Sequence, residues 1–334
     1  MRKTKLHTEV EIPRYPWKIG YSGQCMFIGS CFTENIGQKI EALKMPADIN
    51  PFGILYNPVS VANGLEMLLH EKHFIENDLI EYNGLWHSFY HHGRFSAINK
   101  DKALHNINER LAGSAQKLKG TELLFITFGT AWFYRYKTTG QIVSNCHKIP
   151  NNEFSRERLS VAAIVDLYKK LLPQIWAINP RLNVVFTVSP VRHLKDGAVE
   201  NQQSKATLLL AVDELIKTFG GKTAYFPAYE IVMDELRDYR FYASDMAHLG
   251  DVAVNYIWDI FKEAFIEQQS LELTVKIQKV LNAVQHRPFN KNTKKYKEFL
   301  EKYSQIIVRL EQDYPNLNLK LEKEYFLCQL RDFG

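Results

Sequence analysis

Two short stretches of this 334-residue sequence hold side chains that could do chemistry together. The first, CMFIGSCFTENIGQKIEAL (25–43), joins an apolar run to a Gly-Ser-Cys corner, and Ile36, Ile40 and Leu43 then repeat at helical spacing. If the run is a strand and the helix starts near Phe32 or Thr33, Cys31 sits on the turn at the positive end of the helix dipole. Free backbone N–H groups there favour an anion, so a thiolate would be stabilised and a developing oxyanion held by the same amides. Ser30 beside it is a rival nucleophile, or an N-cap accepting a first-turn N–H. A structural reading is also open: Gly29 makes the turn, Ser30 caps it, and Cys31 is a small buried residue.

The second stretch, YASDMAHLGDVAVNYIWDIF, puts Asp245 three residues before His248, ahead of an apolar helix. On a tight turn that spacing lets the carboxylate accept the imidazole Nδ1–H and leaves Nε2 free to take a proton. The alternative makes Asp245 an N-cap and His248 a surface residue. Asn145 and His147, in SNCHK, read as oxyanion donors, substrate contacts or merely a turn. Arg192 and His193 follow VVFTVSP, where a cation could meet an acidic substrate or pair with a surface carboxylate. His87, His91 and His92 lie in WHSFYHH, but the alternation around them is strand-like and no carboxylate stands at H-E-x-x-H spacing. No metal and no cofactor is expected.

These residues need a scaffold that brings them to one place. Strand-like runs at Cys25–Ile28, Pro46–Ile49, Leu123–Phe128, Val184–Val188 and Thr223–Phe226 alternate with helical patterns, such as Val165, Tyr168, Leu172 and Ile175. That rhythm predicts an α/β fold: a three-layer αβα sandwich on a mainly parallel five-stranded sheet of flavodoxin-like order. Two insertions interrupt it, at 82–96 and at 131–150. The second reads as a hairpin turning at Thr138-Thr139-Gly140. The expected division is a main domain over 20–270 and a C-terminal helical extension over 271–334. In the extension, Pro288, Asn290 and Asn292 break the chain before a helix from Lys294 to Gln312, and it packs on the domain or on a partner chain.

Composition narrows the classes. With 46% hydrophobic and 13% aromatic residues, the chain can build a substantial core. A net charge of +5, much of it in HRPFNKNTKKYKEFLEKY, reads as a solvated basic helix rather than a nucleic-acid site. No apolar run is long enough for a membrane span, and MRKTKLHTEVEIPRYPW lacks a secretory core, so a cytoplasmic protein with no membrane partner is expected. Cys25, Cys31, Cys146 and Cys328 form no C-x-x-C pair and read as thiols.

IGSCFTENIG, PFGILYNP, FGTAWFY, NCHKIP, TVSPVRH and SDMAHLG, in that order, resemble segments of the GSCFA-domain family, which is related to the SGNH, or GDSL-type, esterases and lipases. The resemblance covers roughly 20–265 and leaves the C-terminal extension outside. It implies the αβα fold, with a nucleophile in a Gly-Asp-Ser turn after the first strand. Matched to Gly29-Ser30-Cys31, that turn puts Cys31 on the serine and Ser30 on the aspartate. The late Asp-x-x-His falls on Asp245 and His248. The oxyanion glycine is matched by Gly53, and the Gly-x-Asn-Asp segment becomes Gly129-Thr130-Ala131-Trp132, without its asparagine. Asn145 or backbone amides would then supply the donor.

The resulting expectation is acyl transfer through Cys31, His248 and Asp245, hydrolysing an ester or thioester of a small molecule or saccharide. Three alternatives stand beside it. A transferase would use the same site to acylate a sugar hydroxyl, with Trp86, Phe89, Tyr90, Trp132, Phe133 and Tyr134 available to stack on the saccharide. A catalytically inactive protein would bind a ligand on the same scaffold. An interaction protein would work, or self-associate, through the C-terminal helices.

Overall fold

The computed structural model describes residues 7–315 and 317–331. In chain order the strands are β1 (Gln24–Gly29), β2 (Ala47–Ile49), β3 (Ile80–Tyr82), β4 (Leu85–His87), β5 (Thr121–Phe128), β6 (Trp132–Tyr136), β7 (Ile142–Val143), β8 (Phe154–Arg158), β9 (Asn183–Val188) and β10 (Thr223–Tyr225). The helices are α1 (Cys31–Ala42), α2 (Pro58–Leu69), α3 (Lys100–Gly120), α4 (Val161–Ile178), α5 (Gly197–Thr218), α6 (Ala228–Glu230), α7 (Asp251–Phe265), α8 (Gln268–Gln285), α9 (Lys294–Asp313) and α10 (Lys320–Arg331).

The five runs expected to be strands form one parallel sheet in the order β2-β1-β5-β9-β10, which is the flavodoxin-like order. Helices cover both faces, so the central strands read as nearly unbroken apolar runs. Successive side chains of β1 go to opposite layers. Cys25 and Phe27 join Ile36 of α1 and Phe261 of α7, while Met26 and Ile28 join Leu65 of α2, Leu111 of α3 and Leu172 of α4. Val165, Tyr168, Leu172 and Ile175 are all buried, as their spacing predicts.

Both insertions are β-structure at the C-terminal side of the sheet. The first is the antiparallel pair β3-β4. The second is a hairpin, β6-β7, whose turn closes through Gly140 N–H donating to Tyr136 O. It gains a third strand that the sequence reading did not separate: β8 pairs along the whole of β6.

The C-terminal helices pack on their own chain. Ile277 of α8, Leu300 and Ile307 of α9 and Phe326 of α10 belong to the same apolar cluster as Phe27 and Phe261. Lys44, just past α1, pairs with Glu322 of α10 at 2.7 Å. Among the described residues, no helix is long and apolar enough to cross a membrane.

Candidate active site

In a parallel sheet of this kind, ligands bind beyond the carboxyl ends of the strands. The loops after β1, β5, β9 and β10 converge at that edge. The turn after β1 is built on Gly29, whose φ of 140° a side chain would oppose: a Cβ there would lie 2.2 Å from Thr127 O. Asn50, at the end of β2, accepts the Gly29 N–H through Oδ1 at 2.9 Å, and Leu55 N–H donates to Gly29 O at 2.8 Å. The corner is thus held on both sides by the loop after β2.

α1 begins at Cys31, with Ser30 in the N-cap position. Ser30 Oγ makes no capping bond; it is buried without a hydrogen-bond partner among the described residues. Cys31 is half-buried, and the N–H groups of Phe32 and of Cys31 itself, with the Lys205 charge, favour its thiolate. Burial outweighs them and pushes the thiol above its usual value, with Glu34 adding to the rise. The expectation that the helix N-terminus would stabilise a thiolate is therefore corrected: burial keeps the proton on Cys31.

The Asp–His pair that the spacing suggested is formed. Asp245 Oδ2 lies 2.6 Å from His248 Nδ1, and Asp245 Oδ1 accepts the N–H groups of Ala247 (3.0 Å) and His248 (2.9 Å). Those bonds hold the Asp245 carboxyl down to about 2. Asp245 is not a helix cap, because α7 starts after Gly250. The Arg192 N–H donates to Ala247 O and ties this loop to the one after β9. The His248 side chain is 55% exposed, and no hydrogen bond joins it to Cys31 among the described residues. Such bonds are often long before a substrate closes the site.

A cleft of about 610 Å³ opens over this edge, lined by Asp245, His248, Trp132, Tyr134 and Asn145 among others. Tyr56 lines it too, its phenol raised by burial and then by Cys31 and Glu34, whereas Cys31 itself is not among the described residues that line the cleft. Of the aromatics considered for stacking, Trp132 and Tyr134 reach the cleft, whereas Phe89 and Phe133 are buried.

The remaining expected residues divide. Gly53 donates its N–H to Asn50 O at 2.8 Å, and a Cβ on it would strike His92 Cβ, so it shapes the β2 loop and its amide is committed. The Gly129 N–H is likewise committed, to Tyr56 O at 2.7 Å. His147 is structural: Nε2 bonds Ser88 O at 2.8 Å, its ring stacks on His87, and burial pushes it down to about 4. Asn145 lines the cleft, with Oδ1 accepting the His147 N–H. Arg192 lines the cleft and reaches Gln202 Oε1 at 3.4 Å. Of the other insertion histidines, His87 Nδ1 bonds Ser96 Oγ (2.6 Å) and His91 Nδ1 bonds Ser88 Oγ (2.9 Å), while His92 lines the cleft and its Nδ1 accepts the Arg94 N–H at 3.3 Å.

Two residues matter more than the sequence reading allowed. Lys205, on α5, is fully buried; its Nζ donates to Gly129 O (2.6 Å) and to Ser189 O, cross-tying the ends of β5 and β9. Its signal was a lysine on the inward stripe Lys205, Leu208, Val212, Leu215. His193 is not the cation that its place beside Arg192 suggested. Burial, with Lys205, His248 and Arg156 nearby, pushes it down to about 3, so it is neutral.

Compared with known proteins, residues 24–261 match the model of the GSCFA family, and residues 277–332 match that of the GSCFA domain protein, C-terminal domain. The second match covers helices that the motif resemblance left outside. No curated protein matches the chain.

Proposed function

For this chain, a member of the GSCFA family, we propose acyl transfer by an SGNH-type mechanism, hydrolysing an ester or thioester. The observation that carries the reading is the bonded Asp245–His248 pair in the cleft at the carboxyl edge of the sheet, the edge at which α1 begins with Cys31. His248 Nε2 takes the Cys31 proton as Sγ attacks the carbonyl carbon. The carbonyl π electrons move to oxygen and then return to expel the alcohol or thiol, which takes the proton back from His248. Water, deprotonated by His248, attacks the resulting thioester and releases the acid and the free thiol. Asp245 keeps His248 in the tautomer with Nδ1–H and stabilises the imidazolium.

A second reading, transfer to a sugar hydroxyl, is favoured by Trp132 and Tyr134 in the cleft wall. Hydrolysis of a p-nitrophenyl and thioester panel by wild type, Cys31→Ala, Ser30→Ala and His248→Ala tests the reading. Loss in Cys31→Ala and His248→Ala with retention in Ser30→Ala supports it. A saccharide that diverts acyl groups from water would select the transferase. No turnover and no acylation by wild type would leave a ligand-binding protein.

A further inference from the structure

A second cleft adjoins the first. It measures about 520 Å³, and Arg192 and Leu194 line both. We propose that it receives the acyl group of the substrate, an apolar chain ending in a carboxylate, with Arg192 and Arg237 holding that carboxylate. The inference rests on the acyl-transfer reading above and names the class of substrate that the site takes.

The loop that carries Asp245 and His248 belongs to both clefts. It is a small hairpin, in which Tyr242 bridges Leu249 and the Ala243 N–H donates to His248 O at 2.8 Å. Asp245, Ala247 and His248 line the first cleft, and Tyr242 and Met246 line the second. A chain lying in the second cleft therefore packs on the hairpin that carries the base. The π-helical turn Ile231–Leu236 supplies Val232 and Met233 to the same cleft. That turn ends at Arg237, whose N–H donates to Val232 O at 3.0 Å and whose φ of 39° lies in the left-handed region that side-chain-bearing residues seldom adopt.

The lining fits an apolar chain. Leu194, Tyr239 and Met246, which are 50%, 76% and 49% exposed, all face this one cleft. Clustered apolar exposure of this kind marks a binding groove, and a bound chain takes that surface out of water. The charges decide what the chain ends in. Arg237 has no side-chain hydrogen bond or ion pair among the described residues. Arg192 meets neutral groups, Gln202 Oε1 at 3.4 Å and the Tyr242 phenol. Asp238, the carboxylate among the described lining residues, is already engaged: Oδ1 accepts the Arg240 N–H at 3.0 Å, and Oδ2 lies 3.5 Å from Arg240 Nε. Two guanidinium groups without an acid of their own match a carboxylate, which each can bind through paired N–H···O bonds. The carboxylate binds and does not react; the bond broken is the ester or thioester at the other end of the acyl chain.

Mono-p-nitrophenyl esters of adipic and suberic acid present such an acyl group, and p-nitrophenyl hexanoate and octanoate are their neutral counterparts of equal chain length. Wild type is expected to show the higher kcat/KM on the acid esters. Arg237→Gln should lower that value by about tenfold or more, through KM rather than kcat, and leave the neutral esters within about twofold. Arg237→Lys should keep part of the preference, which a loss caused by the backbone or by misfolding would not allow. An Arg237→Gln variant that treats acid and neutral esters alike would overturn the assignment. So would a loss confined to para-acetoxybenzoate, whose carboxylate sits on the leaving group. Calorimetric titration with octanoate reads the site without turnover: wild type binds it, and Arg237→Gln binds it about tenfold more weakly. Binding that is absent, or indifferent to Arg237, would count against the site. Wild type that binds octanoate through Arg237 yet hydrolyses no ester would instead sink the acyl-transfer reading and leave the carboxylate site standing.

Discussion

Asp245 Oδ2 stands 2.6 Å from His248 Nδ1 while Asp245 Oδ1 takes two backbone N–H groups of the same loop. The carboxylate therefore fixes both the tautomer and the position of the imidazole, with Nε2 turned free. Because burial keeps Cys31 protonated at rest, the proposed acyl transfer depends on His248 as base. Asp245→Asn and His248→Ala are expected to lower kcat by on the order of 10³–10⁴. Steady-state hydrolysis of a short p-nitrophenyl ester checks this, and a loss below tenfold in either variant contradicts it.

Gly129→Ala should cut acyl transfer although no functional group is removed. The new methyl would lie 3.1 Å from Tyr56 O and 3.3 Å from His193 Nε2, and a backbone carbonyl cannot step aside as a side-chain tip can. Shifting Tyr56 and His193, which both line the cleft, misplaces the substrate and costs about 100-fold in kcat. The melting temperature separates this from unfolding: the account expects a folded, slow enzyme, and a folded enzyme of normal rate goes against it.

Lys205 gives stability a particular pH dependence. Burial pushes its amine down to about 7 from 10.5, so between those values the unfolded chain holds a proton that the folded chain does not, and stability rises with pH. Lys205→Met leaves Gly129 O and Ser189 O unpaired, at about 1–3 kcal/mol each. Its deficit against wild type then widens by about 3 kcal/mol between pH 7 and pH 9.5. Urea unfolding at the two pH values measures it; a deficit independent of pH would mean that the lysine stays charged in the fold.

Acid should undo the insertion region first. Burial, and then the His147 charge, pushes His91 down to about 3, and burial pushes His147 down to about 4, against 6.5 unfolded. As pH falls below 6.5 the unfolded chain takes up protons that these folded imidazoles refuse, so stability falls. Each histidine accounts for about 2 kcal/mol by pH 5. His91→Phe should flatten the loss between pH 7 and pH 5 by that amount, and an unchanged slope in urea midpoints would refute it.

The sheet was legible because parallel central strands buried on both faces are apolar runs, and those runs alternate with helices of clear 3.6-residue period. β8 was not, since SRER alternates without a strong apolar signal and acquires its strand only by pairing with β6. α10 fell within the expected helical extension but was not delimited, because KLEKEYFLCQLR carries its inward face on few residues, Glu322 and Phe326 among them. Within the site, the Asp245–His248 spacing announced its bond, because three residues on a turn are a local matter. Gly53 misled, because only the fold shows that its amide is already spent on Asn50. His193 was visible as a residue but not in its chemistry, since its neutrality comes first from burial and then from Lys205, His248 and Arg156, all of which only the fold supplies.

The most direct measurement is the mass of the enzyme quenched in acid during turnover of p-nitrophenyl acetate, with fragmentation to tell Cys31 from Ser30. The account predicts one acetyl group on Cys31 in wild type, accumulating further when deacylation is slowed, and none in Cys31→Ala. An acetyl group on Ser30, or turnover with no adduct on Cys31 under any quench, would contradict a cysteine nucleophile.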